Sequence, residues 1–91
     1  MAVTLRIPTP LRRLADGAAE LAVEGSTVSE VLDALERAHP GFRERIYDER
    51  GQVRRFVNIY LSGEDIRFLR GLETPVKDGE EISIVPAVAG G

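Results

Sequence analysis

The chain has 91 residues, the length of one small domain, and 43% apolar and 30% charged residues, a composition typical of folded globular proteins. Its net charge of −3, from 12 basic and 15 acidic residues, argues against a nucleic-acid-binding protein, whose surface carries a strong positive field. No apolar run approaches the ~20 residues of a membrane span and no signal peptide is visible, so we expect a cytoplasmic protein that binds neither nucleic acid nor membrane.

Several classes of reactive side chain are missing. The chain contains no cysteine, which excludes disulfide bonds, thiolate catalysis and cysteine-ligated metals. Its single histidine, His39, suits the end of a predicted helix, and a metal site or catalytic triad usually needs more than one imidazole. Glu64 and Asp65 fall in a predicted hairpin turn without a pocket, which argues against general acid–base catalysis. We therefore expect no catalytic residue and no metal site.

The first forty residues predict a hairpin followed by a helix. Apolar and polar side chains alternate over residues 3–7 and 19–23, the pattern of two half-buried strands that form an antiparallel pair. Thr27 and Glu30 fit a capping box, in which the hydroxyl accepts the third helical N–H and the carboxylate reaches back to the cap. Pro40 ends the helix, because proline restricts the residue before it. One apolar helical stripe is predicted: Val28, Val31, Leu32, Leu35 and Ala38.

The second half of the chain predicts a short helical turn and three further strands. Phe42 and Ile46, four residues apart, anchor the turn. The longest strand is expected over residues 53–61, a short one over 64–68 and the last one over 82–85. The order β-β-α-β-β-β predicts an α+β protein, in which one main helix packs across one face of a mixed sheet of four to five strands. With the first and last strands side by side, this is the β-grasp, or ubiquitin-like, arrangement.

The C-terminal tail has an unusual composition for a chain end. The predicted domain occupies residues 1–86, and residues 87–91 follow it as a flexible tail with no charge except its carboxylate. A frayed terminus is the simplest interpretation. The terminal Gly-Gly also suits a carboxylate that must enter another protein's active site, since glycine lacks a Cβ and adopts conformations closed to other residues. The tail consists of Ala87, Val88, Ala89, Gly90 and Gly91.

Motifs in the second half resemble those of the ThiS/MoaD family of ubiquitin-like sulfur carriers. Within that family they are most similar to the CysO-like branch, which serves cysteine biosynthesis. The first half agrees in pattern, in its opening strand and in the helix after Thr27. The matching stretches are residues 55–60, 64–65, 67–68, 71–72, Thr74 and 86–91.

This resemblance implies a chemical role for the last residue. An E1-like adenylyltransferase and sulfurtransferase would activate the Gly91 carboxylate with ATP and convert it to a thiocarboxylate, while residues 87–90 thread the partner's active site. In the CysO-like branch, a pyridoxal-phosphate (PLP)-dependent cysteine synthase would take up the sulfur, and a zinc-dependent JAMM-type peptidase would release the product. The chain itself would be a carrier and protein cosubstrate that binds no cofactor.

Other functions remain open at this point. The same tail would serve a MoaD-like small subunit of molybdopterin synthase, or a carrier for thiazole synthesis or tRNA thiolation. It would also serve a ubiquitin-like modifier joined to lysines of other proteins, whereas a non-covalent β-grasp binding module would leave the tail inert. In each case we expect a monomer when the chain is free.

Strand parity predicts a partner-contact surface on the outer face of the sheet. If the odd-numbered residues of the strand at 53–61 face the helix, then Phe56, Tyr60 and Val85 face outward and form an apolar patch beside the tail. In the alternative, the aromatic rings pack beneath the loop at 69–76 or a bulge shifts the register. Nearby arginines are interpreted as a solvated face with local ion pairs: Arg54, Arg55, Arg67 and Arg70.

Overall fold

The computed structural model describes residues 1–86 as an α+β fold, in which one main helix packs across one face of a five-stranded mixed sheet. Residues 87–91, the predicted tail, lie outside the described residues. The strands are β1 (Ala2–Arg6), β2 (Glu20–Glu24), β3 (Val57–Leu61), β4 (Glu64–Asp65) and β5 (Glu81–Pro86). The helices are α1 (Val28–Ala38) and α2 (Phe42–Ile46), with 3₁₀ helices at Thr9–Ala15, Ile66–Phe68 and Gly71–Glu73.

The sheet is built around its last strand. The strand order β2-β1-β5-β3-β4 places β5 between β1, to which it is parallel, and β3, to which it is antiparallel. The register pairs Leu5 with Ile82 and Ile59 with Ile84, so the buried side chains of neighbouring strands lie opposite one another. The predicted element order and the adjacent first and last strands are confirmed, and together they make the β-grasp arrangement.

The hydrophobic core lies between the inner face of the sheet and α1. In β1, β3 and β5 the buried residues alternate with exposed or half-buried ones, as the period of two predicts. On α1 four positions of the predicted stripe are buried, but Ala38 at the end of the helix is exposed, so the buried stripe stops at Leu35. Phe42 and Ile46 of α2 are both buried, as predicted.

The amino-terminal cap of α1 differs in one hydrogen bond from the predicted capping box. The Thr27 Oγ1 accepts the Glu30 N–H at 3.2 Å, as predicted. The Glu30 carboxylate, however, accepts the N–H of Ser26, at 2.8 Å, and not that of Thr27. The neighbouring Val28 N–H donates to the Thr74 carbonyl at 3.0 Å, which ties the start of the helix to the segment after the last 3₁₀ helix.

The strand predicted over residues 53–61 is shorter in the structure. Only its second half forms β3, because the Val57 N–H donates to the Arg54 carbonyl at 3.0 Å and closes a turn immediately before the strand. Val53 makes an isolated antiparallel bridge with Tyr47, the residue that follows α2.

The short strand predicted over residues 64–68 is also shorter in the structure. β4 has two residues, after which a 3₁₀ helix begins. The Asp65 carboxylate accepts the Arg67 N–H at 2.9 Å, and this Asx turn bends the chain out of the β-ladder. Before β4, Ser62 and Gly63 both have positive φ angles (49° and 89°), which a two-residue hairpin of type I′ requires.

Candidate functional site

The predicted reactive tail begins at the end of the central strand of the sheet. Pro86 is the last described residue, and its Cα partner is Val57, the first residue of β3. Gly91, the predicted sulfur-carrying residue, and residues 87–90, the predicted threading segment, lie outside the described part of the chain. Strands β1 and β3 hold β5 from both sides, and the inward side chains of β5 are buried. The tail is therefore attached to a firmly packed base.

Two residues of the predicted outer-face patch, Phe56 and Val85, lie at the same end of the sheet, whereas Tyr60 lies nearer the other end of β3. Phe56 is 57% exposed, Val85 is 42% exposed and Tyr60 is half-buried. Tyr60 lies opposite Ser83, so Val85 is its diagonal neighbour on the same face of the sheet. Phe56 lies in the turn before β3, so its exposure follows from the turn and not from strand parity. Packing beneath the loop at 69–76 does not fit an exposed Phe56, and contact with a partner stays a prediction.

Two further exposed apolar residues are not indicated by the sequence pattern. Phe68 is 85% exposed and Leu69 is 39% exposed, at the end of the 3₁₀ helix that follows β4. Ile66, at the start of that helix, is buried and fixes which side of the helix faces the core. The prediction of a strand over residues 64–68 did not indicate these exposed side chains. Aspartate at position 65 is a residue type that favours an Asx turn, and this signal could have predicted the change of direction.

Arg67 is fixed on the outer face by two acceptors. Its Nη2 donates to Asp65 Oδ2 and to Asn58 Oδ1, each at 2.7 Å, and its Nε lies 3.2 Å from both Asp65 oxygens. Asn58 belongs to β3 and Asp65 to β4, so the guanidinium ties both strands to the 3₁₀ helix that follows. The hydrogen bond from the Arg67 guanidinium is the main cause that lowers the pKa of the Asp65 carboxyl below its ordinary value.

We expect the pKa of the Asp65 carboxyl to rise toward its ordinary value in Arg67→Gln, because that substitution removes the main cause of its shift. Asp48 is the matched control within the same molecule. The pKa of its carboxyl is also lowered, chiefly by the Gln52 backbone N–H at 3.0 Å, and it should not change. A carbon-13 NMR titration of both carboxyl groups measures the effect. An unchanged Asp65 midpoint would contradict the assigned cause.

The direction of the shift fixes how this contact responds to pH. Since the pKa of Asp65 is lowered in the folded state, its ionised carboxylate stabilises the fold at pH values above the ordinary Asp pKa. That contribution is lost as the pH falls through the lowered value. In this acid window Arg67→Gln should therefore lose less of its free energy of unfolding than the unchanged chain, as urea denaturation at several pH values would measure.

The other polar residues weighed in the sequence have structural positions. His39 is the C-cap residue of α1, and its backbone N–H donates to the Leu35 carbonyl. Asp65 is engaged with Arg67 while Glu64 is exposed, so the two acids do not form a catalytic pair. Within residues 1–86 no group of three or more potential ligand side chains is placed to hold a metal ion. No helix of that range is long and apolar enough to cross a membrane.

Comparison with known sequences covers the tail as well as the domain. Residues 5–91 match the sequence profile of the ThiS family. The chain is 44% identical over 93 residues to the sulfur carrier protein CysO of Mycobacterium tuberculosis (strain ATCC 25618 / H37Rv), and the match covers all of both chains.

Comparison with solved structures places the chain among ubiquitin-like β-grasp proteins. A chain in the crystal structure of the Amycolatopsis orientalis BexX/CysO complex is 46% identical, with a TM-score of 0.92 over 99% of this chain and 100% of that one. The crystal structure of Haloferax volcanii small archaeal modifier protein 1 is 26% identical, with a TM-score of 0.82 over 96% of this chain and 98% of that one.

Proposed function

Because the chain belongs to the ThiS family, we propose that it is a sulfur carrier protein, which holds sulfur on its C-terminal carboxylate as a thiocarboxylate. The observation that carries this proposal is the whole-length similarity to CysO, which includes the terminal Gly-Gly. In this function the Gly91 carboxylate is first adenylated, and sulfur then displaces the adenylate.

The attachment of the tail supports this role. The five residues beyond Pro86 can span at most ~17 Å, enough to bring Gly91 into a cleft while the folded domain stays outside. Residues 87–90 carry small side chains or none, so a narrow cleft can admit them. Among residues 1–86 the last residue of the buried core is Ile84, so the reacting carboxylate lies beyond the described core.

The reactive chemistry belongs to partner proteins, and this chain is a protein cosubstrate, not an enzyme. We propose an E1-like adenylyltransferase and sulfurtransferase as the activating partner, a PLP-dependent cysteine synthase as the acceptor and a zinc JAMM-type peptidase for product release. ATP, PLP and zinc are then bound by these partners in the cytoplasm, and the free carrier is a monomer. Similarity to CysO favours cysteine biosynthesis over molybdopterin, thiazole or tRNA thiolation.

A second candidate function is the modification of other proteins. Structural similarity to small archaeal modifier protein 1 favours it, since an activated Gly91 carboxylate can also acylate a lysine. Isopeptide-linked adducts of Gly91 in extracts of the native host would establish this function. If the same extracts contain the thiocarboxylate but no such adducts, the carrier function is supported and protein modification is excluded.

Intact-mass spectrometry of the protein recovered from its native host, with fragmentation of the C-terminus, tests the proposal. We expect one oxygen of Gly91 to be replaced by sulfur, and a cysteine residue attached to Gly91 would identify the cysteine pathway directly. A carboxylate that stays unmodified with an E1-like enzyme, ATP and sulfide would point to a non-covalent binding module with an inert tail.

We also propose that the patch of Phe56, Tyr60 and Val85 contacts the activating enzyme. Val85→Asp should slow thiocarboxylate formation at limiting carrier by about tenfold or more, because it places a charge within an apolar contact. Ala22→Asp is the matched control: Ala22 is exposed on the same face, but β1 separates its strand from β5. Rate assays measure both variants, and urea midpoints verify their folding. Equal slowing by both substitutions would show that the patch has no special role.

A further inference from the structure

The cationic side chains of this protein are almost all guanidinium groups. The chain has eleven arginines and a single lysine, Lys77, and it contains no cysteine. An alkyl amine keeps a small fraction of nucleophilic free base at neutral pH, whereas a guanidinium stays protonated and is not acylated under the same conditions. Lys77 is therefore the one side chain of this sequence that an activated carboxylate can convert to a stable amide.

Lys77 lies at the end of the sheet opposite the tail. It is exposed in the turn before β5, where its carbonyl accepts the Glu80 N–H at 3.1 Å. From that turn, β5 runs roughly 17 Å, at ~3.3 Å per residue, to the root of the tail. A tail that spans at most ~17 Å must therefore run fully extended back over the whole sheet before Gly91 comes near this amine. Because β1 also begins at that end, an amine ahead of Ala2 is no closer.

The cations beside the root of the tail are arginines. Arg12 lines a cleft together with Pro86, and its Nε donates to the Ile7 carbonyl at 3.0 Å. On the opposite side of β5, Arg55 is exposed and lies two residues before Val57, the Cα partner of Pro86. Both positions are close to the point at which the tail begins. A lysine placed at either one would be within reach of the terminal carboxylate without full extension of the tail.

We propose that Arg12 and Arg55 are specificity determinants of the activated tail, because they place cations, but no nucleophile, beside its root. This inference rests on the proposed function, in which the Gly91 carboxylate is activated. An amine in their place would attack the activated carbonyl carbon. The new C–N bond forms as the bond to the leaving group breaks, the leaving group takes the electron pair, and the amine proton passes to water. The product is an internal isopeptide, which can no longer accept sulfur.

The full chain with a mercaptoethanesulfonate thioester on Gly91, produced by intein cleavage, tests the inference without an activating enzyme. At mildly alkaline pH, we expect Arg12→Lys and Arg55→Lys to form a species one water lighter than the free acid. Its yield should exceed that of the unchanged chain at least about fivefold and should not change on dilution, because the reaction is internal. Glu24→Lys is the matched control, since Glu24 is exposed at the far end of the sheet, opposite Ala2. Fragmentation locates the new bond.

Two results would overturn this assignment: hydrolysis of both lysine variants without the internal isopeptide, or as much isopeptide in the unchanged chain or in Glu24→Lys. Urea midpoints verify the folding of Arg12→Lys, which loses the hydrogen bond from Nε, whereas Arg55→Lys alters only an exposed side chain. Incubation of the unchanged chain with an E1-like enzyme, ATP and sulfide tests the proposed function separately. The absence of thiocarboxylate there would count against that function, while the thioester assay alone decides the role of the two arginines.

Discussion

Deletion of Gly91 should abolish thiocarboxylate formation, with a loss of at least about 100-fold in yield under fixed conditions. The proposed chemistry takes place on the terminal carboxylate, and a reacting group displaced by one residue no longer meets the adenylating site in a productive geometry. Folding should not change, because Ile84 is the last buried core residue within residues 1–86 and all described elements precede the deletion. Incubation with an E1-like enzyme, ATP and sulfide, followed by intact-mass measurement, compares the deleted and full chains.

Two matched variants separate the position of the carboxylate from the general integrity of the tail. Ala87→Gly keeps the length and the terminus and should form thiocarboxylate within about threefold of the unchanged chain, since it alters neither the reach nor the reacting group. An added alanine after Gly91 should be as inactive as the deletion. Undiminished thiocarboxylate in the lengthened or shortened chain would exclude Gly91 as the sulfur-carrying residue.

The order of elements could be predicted because each central strand has one buried face. The alternation at Val3, Leu5 and Ile7 can satisfy burial in one register only, since a slip by one residue would expose all three side chains. The same holds for Ile82 and Ile84 in β5. The start of α1 could also be predicted, because the cap residue Thr27 and the apolar stripe that follows it indicate the same first residue.

Predictions failed where a side chain or a turn interrupts the backbone pattern. Val53 has the parity of the buried residues of β3, but Arg55 interrupts the apolar series, and the hydrogen bond from the Val57 N–H to the Arg54 carbonyl closes a turn there. Ile66 and Phe68 are spaced as in a strand, but the Asp65 carboxylate accepts the Arg67 N–H and a 3₁₀ helix begins there. Local polar contacts of this kind compete with strand pairing and leave no periodic signal.

The Gly-Gly tail and the cavity beside β3 differ in how far the sequence can predict them. The Gly-Gly tail can be recognised from the sequence as a motif, because its proposed chemistry depends on residue type and on position at the chain end. The cavity, of about 400 Å³, cannot be recognised in the sequence, since separate stretches of the chain meet there: Val53 before β3, and Ile66 and Leu72 after β4.

Ile82→Ala should produce the largest loss of stability among single core truncations on β5, about 2–5 kcal/mol of the free energy of unfolding. Ile82 has 0% exposure, and it lies between Leu5 on one neighbouring strand and Leu61 on the other. Because packed strands surround it, neighbouring side chains cannot easily move in to fill the cavity that the truncation leaves. A domain of this size has ~5–15 kcal/mol in total, so the loss is a large share of it. Urea denaturation measures it as a lower midpoint with an unchanged slope.

Val85→Ala on the same strand is the matched control, because it also truncates a β-branched residue but on the outer face, where 42% of Val85 is exposed. We expect a loss below about 1 kcal/mol, since little packing is removed and mainly strand propensity is reduced. The pair of variants thus separates the two faces of β5: the inner face holds the tail's base in the fold, and the outer face is left free for a partner. Equal losses in the two variants would mean that Val85 is packed, and the proposed patch could not then exist as described.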